Sequence, residues 1–406
     1  MAHGKSRLLA AAAVMATVVS GVSLGVSSSA AGASGSGLKT ITVGVFSDIT
    51  GEGASGNATV VEGVQAGVYL AKRDGYNLKY VVGDTATSPA TALSAGQSLI
   101  EQHHVLAVLA VSALTIIAAP YFKTQDIPVI GAAEDGPEWT TDDNMFSVYG
   151  ATHTNLVSTT FGLYMKSQGV TNLGTLGYGI SPESAQATEE SEASAKQEGI
   201  KTGYLNAEFP FGSTNVAPVA LAMKAAGVNG FTSATDPNTS YALISALENL
   251  GVHLKASLLG SGYGVLGEPK AIDGATFENP FEVMEQNTPA TKQFAADLKS
   301  AGVKGLPTQA AYDGYESVGL LLQGLKGAGS KPTSASLLSS LSKIHSWNAL
   351  GMWGGRTMNI NNRTTIVSNV DNCLWMAKYT GKGFALVPGA DPLCGKRVPG
   401  VTVSAP

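Results

Sequence analysis

Short apolar runs alternate with longer amphipathic stretches along this chain. Residues 41–46, 78–83, 105–111 and 127–131 read as strands, and 60–73, 91–103 and 115–124 read as the helices between them. A glycine-rich loop follows the first strand. Strands alternating with helices predict a parallel sheet with right-handed crossovers. In such a sheet the loops at the carboxyl ends of the strands line a crevice, which points to binding rather than to a reaction.

The same rhythm resumes further on. Strands are expected at 173–178, 202–208, 230–235 and 255–260, with helices at 183–198, 216–226 and 240–250. Gly227 and Gly251 end the second and third of these helices. Three more helices follow at 288–301, 310–327 and 334–341, and residues 353–387 read as strands and turns. One set of units precedes about Tyr149 and the other follows about Leu173. Segments 146–154, 277–281 and 350–354 interrupt the rhythm with Gly, Pro or aromatic residues and are read as crossings between the sets. The expected fold is α/β: two doubly wound parallel-sheet lobes joined by three hinge crossings. Residues 40–150 plus 281–350 would form the first lobe, and 151–280 plus 351–406 the second. Such a hinge supports closure around a ligand.

Charge and composition narrow the function. Lys5 and Arg7 precede an apolar stretch at 8–24, and Ala31-Gly32-Ala33 fits a small-residue cleavage site, so residues 1–33 read as a signal peptide. No cysteine stands near that site to carry a lipid, and an exported protein, periplasmic or at the cell envelope, is expected. The remainder of the 406 residues suits two domains. Lys and Arg are scattered and the net charge is −5, which leaves no basic stripe for a nucleic-acid partner. Cys373 and Cys394 are the only cysteines and are expected to pair as a disulfide. No cofactor or metal is expected, because the histidines lack metal-ligand spacing. The G-x-G-x-x-G at 51–56 is set off its strand by residues 47–50, and Asp84 lies too far along to serve a dinucleotide. A G-x-S-x-G at 21–25 falls within the signal peptide.

A more specific signal comes from ordered short motifs. These are Val43-Gly44-Val45 followed by Thr50-Gly51, then Glu62-Gly63 and Ala66, then Asp84 and Pro89-Ala90. Leu99-Ile100, the strand at 105–110, Pro128-Val129-Ile130 and Ala311-Tyr312-Asp313 continue the series. In order and spacing the chain resembles the type I periplasmic binding proteins, in the branched-chain amino-acid-binding branch of the ABC transporter substrate-binding proteins. The resemblance implies a monomeric, non-enzymatic receptor that captures a small-molecule ligand by lobe closure and delivers it to an ABC permease in the membrane. A sensory receptor domain of the same fold, working with a signalling partner, is the alternative. An exported enzyme would need a clustered acid, base or nucleophile set, which the sequence does not reveal.

The resemblance also implies a site. Ser112, at the start of the helix at 115–124, matches a serine that grips a ligand carboxylate; as a bland N-cap it would serve only the helix. Ala133 would offer its carbonyl, and Asp135 would either bind an ammonium or cap the turn before Gly136-Pro137. Gly56 belongs to a roof loop at 50–57, where the family often has an aromatic and this chain leaves room. The second lobe lacks the family's usual ammonium-binding acid within 261–264. Tyr263 and Tyr178 are candidates to contact ligand there, with packing at strand ends as the alternative, and Asp236 is a candidate replacement acid. These departures admit an amino acid, a related amide or another small carboxylate as the ligand.

Overall fold

The computed structural model describes residues 37–150, 155–265, 269–361 and 372–403. The signal-peptide reading and part of the crossing at 146–154 lie outside the described residues. The first half runs β1 (Lys39–Ser47), α1 (Ala54–Asn57), α2 (Val60–Arg73), β2 (Tyr76–Asp84), α3 (Pro89–Glu101), β3 (Val108–Val111), α4 (Thr115–Thr124), β4 (Val129–Gly131), α5 (Glu138–Thr141) and β5 (Met145–Ser147). The second runs β6 (Leu156–Ser158), α6 (Thr160–Ser167), β7 (Asn172–Tyr178), α7 (Pro182–Gln197), β8 (Lys201–Phe209), α8 (Ala217–Ala225), β9 (Gly230–Ala234), α9 (Pro237–Asn249), β10 (Ala256–Leu259) and β11 (Thr276–Asn279). The chain then forms α10 (Pro289–Ala301), α11 (Gln309–Gly327), α12 (Ser334–Leu341), β12 (Cys373–Tyr379), β13 (Phe384–Leu386), β14 (Leu393–Cys394) and β15 (Arg397–Thr402).

Two sheets result. The first has the order β2-β1-β3-β4-β5 and is parallel throughout. The second has the order β13-β12-β11-β10-β9-β7-β8, parallel from β8 to β11. Its last strands, β12 and β13, add an antiparallel edge to this otherwise parallel sheet. That edge forms because the chain returns from the hinge to pair with β11. The disulfide between Cys373 and Cys394 joins β12 to β14, where the two residues stand opposite one another.

Phe146 and Phe277, read from sequence as crossing residues, are strand residues. Phe146 pairs with Ile130 and Phe277 with Leu259, because each extends its sheet by one more parallel strand. The crossings begin just beyond them. The Tyr149 and Phe281 rings lie 5.5 Å apart, and Phe281 stacks on Trp353 at 6.2 Å. The Glu282 amide donates to the Met352 carbonyl (2.9 Å), and Trp353 Nε1 donates to the Pro280 carbonyl (3.0 Å). Aromatic faces and backbone bonds thus hold the crossing segments together.

Helices α10, α11 and α12 pack on the first sheet's side, α11 against α2. That crossing is close because glycines face backbone: a Cβ on Gly63 would stand 1.9 Å from the Ala311 carbonyl oxygen, and one on Gly314 would stand 2.4 Å from that of Val60. α11 is buried along almost its whole length, and a hydrogen bond between the Thr59 and Thr308 hydroxyls fixes its N-terminal end. The start of α11 is thereby held in register with the loops at the carboxyl ends of the first sheet.

Candidate functional site

The carboxyl ends of both sheets face a common cavity of about 250 Å³. From the first sheet come Ser55, Gly56 and Asn57 of α1, Ala113 after β3, and Ala133 and Glu134 after β4, joined by Thr308 and Gln309 at the start of α11. From the second come Tyr178 at the end of β7, Ser181 and Glu183 at the start of α7, Phe211 after β8, Asp236 after β9, and Ser261 and Gly262 after β10. The volume lies below the roughly 300–1,000 Å³ of drug-sized pockets, so the cavity suits a small ligand.

The two sides touch across it. Ser181 Oγ donates to the Asp135 carbonyl (3.1 Å), and the Glu183 amide donates to the same oxygen (3.3 Å). Asp236 reaches the roof helix: a Cβ added at Gly56 would lie 3.1 Å from Asp236 Oδ1. The glycine therefore permits a close approach between the two walls. The roof itself is braced by Asp84, which accepts from the Ile49 and Thr50 amides (both 3.1 Å) and the Thr50 hydroxyl (2.7 Å). Partial burial raises the Asp84 carboxyl, but these bonds outweigh it and hold it below the ordinary range.

The wall is acidic. Burial is the main cause pushing Asp236 up to about 7, partly offset by its hydrogen bond with Tyr178, with repulsion from Asp48 and Glu52 adding to the rise. Burial also drives Glu134 well above the usual carboxylate range, and Asp313, Asp135, Asp48 and Asp236 repel its charge further. Glu183 is 7 % exposed and likewise raised, first by burial and then by Asp135. Among the described lining residues there is no Lys, Arg or His to balance these groups. Beside Asp236, the Tyr178 and Phe211 rings meet edge to face at 4.7 Å. The Tyr178 hydroxyl lies 3.2 Å from Asp236 Oδ2 and 2.7 Å from Thr239 Oγ1.

Of the residues singled out from sequence, the structure gathers Gly56, Ala133, Tyr178 and Asp236 around the cavity. Ser112, Asp135 and Tyr263 stand outside its wall. Ser112 is fully buried; its hydroxyl donates to Asp48 Oδ1 (2.8 Å) and accepts from the Leu114 amide (3.1 Å). Asp135 turns its carboxylate away, onto the Ile116 amide (2.5 Å) and Trp139 Nε1 (3.0 Å). Burial raises it to about 6 despite those bonds. The Tyr263 ring is buried against Tyr312 and Phe384, and its hydroxyl donates to Glu285 Oε2 (2.8 Å). Ser112 and Asp135 thus serve the N-terminus of α4, and Tyr263 serves the core.

Sequence reasoning missed Asp48, Glu134 and Glu183. Asp48 follows β1 directly and Glu134 stands beside Ala133, so each had a positional signal: the first loop residues after a parallel strand. Glu183 sits one residue after Pro182 at the head of α7, where an acid is ordinary for helix reasons alone.

Comparison with known proteins agrees with this architecture. The sequence model of the family described as periplasmic binding protein matches residues 40–383. No curated protein sequence matches the chain. Among solved structures, a possible leucine/isoleucine/valine-binding protein from Rhodopirellula baltica is similar, with a TM-score of 0.70 at 12% identity over 89% of this chain and 99% of that one. An ABC transporter solute-binding protein of R. palustris in complex with 4-hydroxybenzoate gives 0.69 at 16% identity, over 91% and 98%. The branched-chain amino acid transporter substrate-binding protein of Streptococcus pneumoniae, in complex with isoleucine, gives 0.69 at 16% identity, over 89% and 99%.

Proposed function

We propose, from the premise that this chain belongs to the periplasmic binding protein family, that it works outside the cytoplasm as the solute receptor of an ABC importer. One observation carries the reading: a small cavity is walled by strand-end loops of both sheets, whose sides already bond across it through Ser181, Glu183 and Asp135. A ligand there touches both lobes. It therefore favours the closed arrangement, since a ligand shifts an equilibrium only by its differential affinity for the two states. The first lobe, 40–150 plus 281–350, offers the roof helix, Ala133 and Glu134. The second, 151–280 plus 351–406, offers Tyr178, Glu183 and Asp236.

The ligand is small and presents hydrogen-bond donors to this wall, as an amino acid, an amine or an amide does. Isoleucine and 4-hydroxybenzoate are the ligands of the Streptococcus and R. palustris proteins; an aromatic acid without a cationic group finds no partner for its charge beside Glu134 and Asp236. Delivery to a permease follows from the family role. A thermal-shift screen of the purified chain against amino acids, amines, amides, organic acids and sugars tests the proposal. A ligand at 100 times its Kd stabilises by about 2.7 kcal/mol, enough to move the melting temperature by degrees. No shift with any compound, or turnover of one that binds, would overturn it.

A further inference from the structure

The N-terminus of α4 is the natural anion-gripping element beside the cavity, and its donors are all in use. The Ala113 amide donates to Asp48 Oδ2 (2.9 Å), the Leu114 amide to Ser112 Oγ (3.1 Å), the Thr115 amide to the Ser112 carbonyl (3.4 Å), and the Ile116 amide to Asp135 Oδ2 (2.5 Å). Asp48 collects the remaining polar groups as well: the Ser112 hydroxyl on Oδ1 (2.8 Å), the Thr85 hydroxyl, and Asn57 Nδ2 on Oδ2 (2.9 Å). Two of these donors belong to cavity-lining residues, Ala113 and Asn57. The protein thus supplies its own carboxylate where a ligand's carboxylate would bind, directly behind the wall.

A second observation is independent of that one. Glu183 lines the cavity, is more than nine-tenths buried, and its carboxylate meets no hydrogen-bond donor among the described residues. A buried, unpartnered acid costs free energy unless something pairs with it. Glu134 and Asp236 line the same space, and the Tyr178 and Phe211 rings offer apolar and π surface beside them.

We infer that the cavity is specific for organic cations that carry no carboxylate, such as primary amines, guanidines and amino-acid amides, because Asp48 permanently fills the anion subsite and the exposed wall is acidic. This deepens the receptor reading and rests on it. A zwitterionic amino acid would place its carboxylate against Asp48, whose donors are already spent, and against Glu134. The ammonium or guanidinium of a carboxylate-free ligand would instead pair with these acids in their ionised form and displace the protons that burial retains, with its apolar part against Tyr178 and Phe211.

Isothermal titration of the full chain with matched pairs tests this: isobutylamine against valine, agmatine against arginine, tyramine against tyrosine. In every pair that binds, the carboxylate-free member is expected to bind at least tenfold tighter. Glu134→Gln and Asp236→Asn are each expected to weaken that binding tenfold or more while leaving the fold intact by circular dichroism, since both side chains face the cavity. An amino-acid parent that binds as tightly as its amine overturns the inference and leaves the receptor reading standing. The same follows if none of the pairs binds while an organic acid, a sugar or another compound without a cationic group does. Failure of every compound in both experiments removes the receptor reading itself.

Discussion

Replacing Asp48 by Asn leaves the shape of the side chain and removes its charge, so its cost reports what the carboxylate does. Oδ1 accepts the Ser112 and Thr85 hydroxyls, and Oδ2 accepts Asn57 Nδ2 and the Ala113 amide. An amide can replace only one of these oxygens as an acceptor. Turned one way, its NH2 group faces the Asn57 and Ala113 N–H donors and leaves both unsatisfied; turned the other, it donates to the Ser112 and Thr85 hydroxyls, whose own hydrogens then lose their acceptor, in a site with no exposed surface at Asp48. Buried unsatisfied donors cost about 1–3 kcal/mol each, which sets a loss of about 2–6 kcal/mol. Relief of repulsion on Glu134 and Asp236, both of which feel the Asp48 charge, returns part of it. The expected net destabilisation is about 2 kcal/mol or more, read as a lower urea midpoint at unchanged slope. A variant within about 0.5 kcal/mol of the parent, the range of an indifferent surface change, would refute the claim that this carboxylate is the anchor of the α4 N-terminus.

Further expectations concern pH, packing and the disulfide. Burial raises Asp236 and Asp313 to about 7 and Asp135 to about 6, above the roughly 3.9 of an unfolded Asp. The folded chain therefore holds more protons than the unfolded one between about pH 4 and 7, and the ligand-free protein should lose stability as pH rises through that window; a melting temperature higher at pH 8 than at pH 5 would contradict this. Gly63→Ala should destabilise by about 1–3 kcal/mol or more in chemical denaturation, because its Cβ would meet the Ala311 carbonyl oxygen at 1.9 Å and α2 must move off α11. Reducing Cys373–Cys394, which spans 21 positions, should cost about 3 kcal/mol by loop entropy, and an unchanged unfolding midpoint in reductant would refute it.

Much of the scaffold was legible because its units are regular. The bounds read for the helices Val60–Arg73 and Thr115–Thr124 coincide with the observed ones, where strand and helix patterns change abruptly. The short strands Met145–Ser147 and Thr276–Asn279 overlap the segments 146–154 and 277–281 that the sequence reads as crossings, because three or four residues beside Pro and aromatics carry no periodicity; their strand character comes from a neighbour in the sheet. The same limit applied at the site. Ala133 and Tyr178, beside strand ends, and Gly56, in the roof segment, were placed by backbone position through the family resemblance. Ser112 and Asp135 occupy equally suitable positions, but their side chains are claimed by Asp48, 64 residues earlier, and by Trp139 and the α4 amides. Which of two nearby partners a short polar side chain chooses is a tertiary fact. The acidity of the wall has the same origin, since Glu134, Glu183 and Asp236 are far apart in sequence and meet only when two sheets face each other.

Proton release on ligand binding tests the acidic cavity most directly. A bound cation stabilises the ionised forms of Asp236, Glu134 and Glu183, whose protons burial now retains, with Asp48, Glu52, Asp135, Asp313 and Tyr178 as their titratable neighbours. Titrating an amine that binds, in buffers of different ionisation enthalpy at pH 6.5, should show net proton release and an affinity that rises with pH up to about 7.5. Net proton uptake, or an affinity that falls across that range, would contradict the account.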